Sequence, residues 1–218
     1  MPETKITTHE QWLAERLKGI GASEASAVVG CNPYMTNVDL WQIKTGRKKA
    51  PDISSNEHVA YGHAAEGPLR ELFALDYPQY EVTYGGEFDM VRHPEYPWLF
   101  ATLDGRLLER ETGRKGVYEG KTTEILRSMA REKWKDGVPQ NYYVQLLHQL
   151  LASTWDFARL HAQLKRVWDG EVICTRKTYP IEREEVLDDL DYLLEKEVEF
   201  WGYVQRDEMP PLILPDVF

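Results

Sequence analysis

Near Tyr80 the spacing of apolar residues changes, and this change limits the folds open to the chain more than any other feature. Before it, apolar residues recur at helical spacing over Thr8–Lys18, in a short piece after Gly21, over Val38–Thr45 and over Glu57–Asp76. Gly30 and Pro33 close the second piece, and Gly46 closes the third. Gly62, Gly67 and Pro68 interrupt the fourth, which predicts a kink or a later start. After Tyr80 the period is two, which predicts strands at Tyr80–Val91, Trp98–Thr102, Gly105–Arg110 and Gly116–Thr122. The polar, glycine-containing stretch Glu109–Gly116 predicts a hairpin between the last two. Helical spacing returns at Ile125–Lys135 and at about Asn141–Thr154. Two further strands follow at Arg159–Val167 and Glu171–Tyr179, then a helix at about Glu182–Val204. This order predicts a mixed α/β or α+β fold in a single domain over residues 1–218, with a core over about 12–180.

Other function classes are excluded by what the chain lacks. No apolar run approaches the ~20 residues that cross a bilayer, and the opening residues have no apolar signal region. The expectation is a soluble cytoplasmic protein with no membrane partner. Cys31 and Cys174 are the two cysteines, far apart and outside any metal spacing. The six histidines form no His-Glu-x-x-His pattern, which argues against a zinc enzyme.

The net charge of −10 argues against a nucleic-acid partner until its distribution is considered. Residues 182–199 hold nine acids against two bases, whereas residues 106–135 hold nine bases against five acids. A second basic run lies at Lys44, Arg47, Lys48 and Lys49. Charge segregated in this way can repel DNA on one face and hold it on another. The plain alternative is a solvated surface.

The segment Val117-Tyr118-Glu119-Gly120-Lys121 carries the chemistry. Residues two apart on a strand share a face, so Glu119 and Lys121 project side by side. Asp104 stands at the strand junction before Gly105, and hairpin pairing would bring it near Glu119. Phosphodiester hydrolysis requires neutralisation of phosphoryl charge and an activated water. Magnesium supplies both and takes a few carboxylate oxygens. Asp104 and Glu119 would bind it. Glu66, on the face of Leu69 and Phe73, would be a third carboxylate, and the Gly120 carbonyl a neutral ligand. Lys121 would hold the attacking water, help deprotonate it or stabilise the transition state. An exposed strand with a cross-strand ion pair is the alternative for the same residues.

From Trp12 to Gln149 the chain resembles the phage lambda-type exonucleases, or YqaJ-like viral recombinase nucleases, of the PD-(D/E)XK superfamily. Six pieces carry the resemblance, in order: Trp12–Arg16 with Gly19–Glu24; Trp41–Gly46; Gly62–Glu66; Ala101–Gly105; Glu119–Lys121; and Tyr142–Gln145 with Leu146–Gln149. Leu103 replaces the proline of the superfamily signature, and Thr102 stands where the lambda-type enzyme has serine. An additional aspartate of that enzyme has no counterpart, although His93 and Glu95 lie nearby.

The resemblance implies a restriction-endonuclease-like core, a central mixed β-sheet flanked by helices. It implies Glu66, Asp104 and Glu119 as metal ligands, Lys121 as the water-orienting base and Gln145 as support. It also implies Arg16 and Ser23 as the pocket for a terminal 5′-phosphate; a surface ion pair of Arg16 with Glu24, and Ser23 as an N-cap, are the alternatives. The implied cofactor is Mg2+, with Mn2+ as a substitute and two ions. The implied activity is 5′-to-3′ digestion of one strand of duplex DNA, releasing mononucleotides. The implied setting is a bacterial or phage-infected cell, where a ring-shaped homotrimer hands the 3′ strand to a single-strand annealing protein. In such a ring Lys44, Arg47, Lys48, Lys49, Arg127, Arg131 and Lys133 would contact phosphates. A structure-selective endonuclease, an RNA-cleaving nuclease and an inactive DNA-binding module remain alternatives on the same core.

Overall fold

A computed structural model of the chain describes residues 6–52, 55–124, 134–135 and 137–214. Helices α1 (His9–Arg16), α2 (Ala22–Val28), α3 (Asn37–Lys44) and α4 (Glu57–Asp76) come first, with the two-residue strand β1 (Ile20–Gly21) between α1 and α2. Strands β2 (Tyr80–Thr83), β3 (Met90–Arg92), β4 (Leu99–Thr102), β5 (Gly105–Glu109) and β6 (Lys115–Glu124) follow. Then come α5 (Gln140–Ser153), β7 (Phe157–Trp168), β8 (Glu171–Glu182) and α6 (Leu187–Arg206). The helix expected at Ile125–Lys135 falls almost wholly outside the described residues.

The strands form two sheets. One has the order β1-β4-β3; the other has the order β2-β5-β6-β7-β8. In the larger sheet β6 and β7 run parallel and every other pairing is antiparallel. A parallel pair needs a long crossover, and α5 lies within it. The result is a mixed α/β architecture with mixed sheets flanked by helices, as the sequence predicts.

Helices cover both faces of the larger sheet. On one side Phe73 of α4 packs with Tyr80, Leu107, Tyr118 and Phe157. On the other, Leu146, Leu147, Leu150 and Leu151 of α5 join Val117, Leu160, Ala25 of α2 and Leu190 of α6. The centre of β6 is therefore buried on both faces, and a charge placed there requires partners. Gly116 is required where β6 meets β7, since a Cβ there would lie 2.1 Å from the Phe157 ring. The β7–β8 turn, Asp169-Gly170, has φ of 51° and 77°, the left-handed pair favoured in two-residue hairpins.

Two expectations are corrected, one on the strands and one on the last helix. The run Tyr80–Val91 is two strands in different sheets, separated at Gly85-Gly86. Helix α4 covers the expected range, Glu57–Asp76, without a later start, and continues through Pro68. Pro68 is exposed and so is Ala64 four residues earlier, so water can satisfy the carbonyl that the missing N–H leaves free. The last helix starts later than expected, because β8 continues to Glu182 and a short 3-10 turn, Arg183–Glu185, precedes α6. Among the described residues no helix is long and apolar enough to cross a membrane.

Candidate active site

The β5–β6 register pairs Gly105 with Tyr118, which brings the residue before Gly105 alongside Glu119. That residue is Asp104. Its Oδ2 accepts the Gly120 N–H at 2.9 Å, and its carbonyl accepts Nη1 of Arg70 from α4 at 2.7 Å. Burial pushes the Asp104 carboxyl up to about 8, and the charges of Glu119 and Glu66 push the same way; Lys121 and the Gly120 N–H oppose them.

Glu119 and Lys121 share the β6 face turned towards α5. Glu119 is 2% exposed, a position that no unpartnered carboxylate could hold. Two amides one helical turn apart on α5 supply the donors. Gln145 Nε2 donates to Oε1 at 2.7 Å and Gln149 Nε2 to Oε2 at 2.6 Å. Lys121 Nζ lies 2.5 Å from Oε1 and 5.2 Å from the centre of the Tyr142 ring. Burial disfavours the Lys121 charge, but Glu119 and Asp104 outweigh it and hold the amine above its ordinary value. Lys121 is therefore an ammonium donor in this state. The Glu119–Lys121 pair lies within one strand and is buried, unlike the exposed cross-strand pair of the alternative reading.

Glu66 projects from the middle of α4. Burial raises its carboxyl, opposed by His63, whose Nδ1 lies 3.1 Å from Oε1, and Glu119 raises it further. Glu66, His63, His58, Gly62, Gly120 and Lys121 border a cleft of about 200 Å³ between α4 and β6. Among the described residues no three His, Cys, Asp or Glu side chains are grouped closely enough to hold an ion as they stand. The donor set nonetheless suits a hard divalent cation: oxygen ligands, and a carboxyl raised by burial and by its like-charged neighbours.

Near the N-terminus, Arg16 Nη2 lies 3.0 Å from Glu24 Oε1 and 3.4 Å from Ser23 Oγ. Arg16 thus makes the ion pair with Glu24 that is the alternative to a phosphate pocket, and Ser23 lies beside it. Ser23 is exposed and is not the N-cap; Gly21 holds that place, and its N–H donates to Glu24 at 2.8 Å. The Trp12 indole donates to Thr102 Oγ1 at 3.1 Å, tying α1 to the strand that leads into Asp104.

The expected phosphate contacts fare differently. Lys44 is buried, with Nζ bound to Glu24 at 2.7 Å and to the Arg16 carbonyl at 2.6 Å, so its charge serves the interior and not a phosphate. Arg47 pairs with Asp207 at 2.6 Å and Lys48 with Asp39 at 2.6 Å. Lys49 is exposed. Arg127, Arg131 and Lys133 lie outside the described residues.

Sequence reasoning missed Gln149 and Arg70. Gln149 lies four residues after Gln145, so the spacing that puts both on one helix face was present. Gln149 is wholly buried because it faces Glu119. Nothing local marks Arg70, whose partner is 34 residues away.

Comparison with known proteins places these residues in context. The YqaJ-like viral recombinase domain matches residues 11–156. The uncharacterized protein YqaJ of Bacillus subtilis (strain 168) is 31% identical over 205 residues, covering 89% of this chain and 56% of that protein. The chain thus spans about half the length of that relative. Among solved structures, the alkaline exonuclease LHK-Exo of Laribacter hongkongensis superposes with a TM-score of 0.60 at 18% identity, covering 90% of this chain and 95% of that one. Its complex with dAMP gives 0.58 with the same identity and coverage. A phage-related exonuclease of Haemophilus somnus 129PT gives 0.58 at 13% identity, covering 87% and 96%. At these identities the likeness is one of fold.

Proposed function

The chain belongs to the YqaJ-like viral recombinase family, and from that premise we propose that it is a metal-dependent exonuclease acting on duplex DNA. The observation that carries this reading is the convergence of Asp104, Glu119 and Lys121, with Glu119 gripped by Gln145 and Gln149. A purely structural ion pair needs no second and third carboxylate beside it. The fold shared with exonucleases, one of them solved with dAMP, supports the same reading.

Asp104, Glu119, Glu66 and the Gly120 carbonyl would hold magnesium, two ions in all, with manganese as a substitute. The metal would neutralise phosphoryl oxygens and lower the pKa of a bound water. The chain's own residues do the rest. Gln145 and Gln149 fix the Glu119 carboxylate, and the Gly120 N–H fixes that of Asp104. Lys121, as an ammonium, donates to the attacking water or to the phosphoryl oxygens as charge grows on them. A role as general base would first require loss of the proton that Glu119 and Asp104 retain on it. Arg16 and Ser23 would receive a terminal 5′-phosphate, with the guanidinium exchanging part of its bond to Glu24 for the dianion.

The finer reading is digestion from 5′ to 3′, releasing mononucleotides, by a ring-shaped homotrimer that leaves a 3′ strand for a single-strand annealing partner. Linear duplex DNA with 5′-phosphate or 5′-hydroxyl ends tests it, with magnesium, with EDTA and with Lys121→Ala. Metal-dependent mononucleotide release, faster from phosphorylated ends and abolished by the substitution, is the expected result. Cuts within closed circles would point to an endonuclease, cleavage of RNA alone to a ribonuclease, and binding without any cleavage to an inactive module.

A further inference from the structure

On the far side of Asp104 from Glu119's glutamines, an exposed aromatic ring lies against a cation that is itself fixed to the site. Arg70 of α4 donates to the Asp104 carbonyl at 2.7 Å, and its guanidinium carbon lies 4.1 Å from the centre of the Tyr84 ring. The Arg70 stem runs beside Gly105, where a Cβ would come within 3.2 Å of its Cδ. Arg70 thus joins the backbone that presents the Asp104 carboxylate to the Tyr84 ring.

Tyr84 itself is not committed to the core. It follows β2 at the start of the Tyr84-Gly85-Gly86 connection, where Gly86 has φ of 108°, and its side chain is 45% exposed. Burial raises its phenol, and so do the charges of Glu66, Asp104 and Glu87, while Arg70 opposes them. The placement of the ring beside the proposed reaction centre follows from Arg70, which bonds the Asp104 carbonyl and lies against the Tyr84 ring.

We propose that Tyr84, backed by Arg70, is a stacking platform for a nucleobase next to the bond that is cut. An aromatic face binds any base, because every base offers a π surface, and so adds affinity without sequence preference. The stacked guanidinium keeps the ring from rotating, so the base is received in one orientation. This inference rests on the nuclease reading and adds to it the part of the nucleotide held and the residues that hold it. Arg70 is a positioning residue; Tyr84 makes the contact.

The test uses the full chain and 5′-phosphorylated linear duplexes carrying either a natural or an abasic terminal nucleotide. Cleavage and equilibrium binding by fluorescence anisotropy are measured for the wild type, Tyr84→Ala and Tyr84→Phe. Base stacking of ordinary strength predicts that Tyr84→Ala raises KM and Kd for the natural end about tenfold. The loss should fall on KM more than on kcat and be nearly absent on the abasic end, and Tyr84→Phe should restore binding. An equal loss on both ends, or no loss at all, overturns the platform. If the wild type binds DNA but never cleaves it, the nuclease reading fails instead, and the binding comparison still decides whether Tyr84 discriminates base from abasic site.

Discussion

The Gly120 N–H donates to Oδ2 of Asp104 at 2.9 Å, linking the backbone of β6 to the carboxylate that precedes β5. This bond opposes a strong upward push on Asp104 from burial and from Glu119 and Glu66. The folded protein therefore retains a proton on Asp104 up to about pH 8, whereas an unfolded aspartate loses it near 4. The folded state binds more protons across that window, so the group's contribution to stability falls as pH rises from about 4 to 8. Asp104→Asn keeps an acceptor for Gly120 and removes the charge. It should abolish cleavage, by at least about 10²-fold, yet raise the metal-free melting temperature at pH 9 by about 2–4 °C. A variant that melts no higher than the wild type at pH 9 would contradict this account of the site.

Gln149 is expected to matter as much as Gln145, although only Gln145 was legible. Gln149→Leu leaves one oxygen of a 2% exposed carboxylate without its donor, a loss of about 1–3 kcal/mol. Urea titration measures it. Combined with Glu119→Gln, the two losses should not add, because the second change removes the charge that the first leaves stranded.

Lys121 is the ammonium that Glu119 and Asp104 both lean on. Lys121→Met should eliminate turnover and also lower the melting temperature, more at pH 9 than at pH 5. At pH 9 Asp104 has lost its proton and is left without its neighbouring cation; at pH 5 it is still protonated. A melting deficit independent of pH would argue against this coupling.

Away from the site, buried His148 places Nδ1 2.6 Å from Glu197 and Nε2 2.9 Å from the Phe100 carbonyl. Burial opposes the imidazolium, but Glu197 and the Phe100 carbonyl outweigh it and raise the histidine. A raised histidine contributes stability that is fully present below the unfolded value near 6.5 and is lost as pH climbs through the folded value. His148→Ala, which strands Glu197, should cost about 3–5 kcal/mol at pH 6. Denaturant midpoints across pH 6–10 check both the size and the slope.

Arg16→Ala should reduce the preference for a 5′-phosphorylated end about tenfold, the scale of one charge-assisted hydrogen bond. It should leave cleavage of 5′-hydroxyl ends little changed. Competition between the two ends in one reaction measures the preference directly.

The sequence made the β5–β6 hairpin and its three charged residues legible because both depend on local rules, a period of two and a glycine-containing turn. The same rules misled where tertiary partners decide. Lys44 reads as part of a basic run, but Glu24, 20 residues before it, draws it inside. Glu197 reads as one acid of a solvated helix, but His148, 49 residues earlier, makes it an interior charge. Gln149 draws no role from the sequence because nothing nearby in the chain announces that a strand carboxylate faces it. Tyr80–Val91 reads as one strand because alternation does not reveal which sheet each half joins.

The crossover through α5 has a temporal consequence. The amides that hold Glu119 lie 26 and 30 residues beyond it, on the far side of a parallel connection. A chain emerging from the ribosome presents Asp104 and Glu119 well before it presents Gln145 and Gln149. Parallel pairing of this kind is slow to form, because long-range closure must precede the contacts that reward it. The assembled Glu119 site would therefore arrive late in folding, after the carboxylates are made but only once the helix has closed over them.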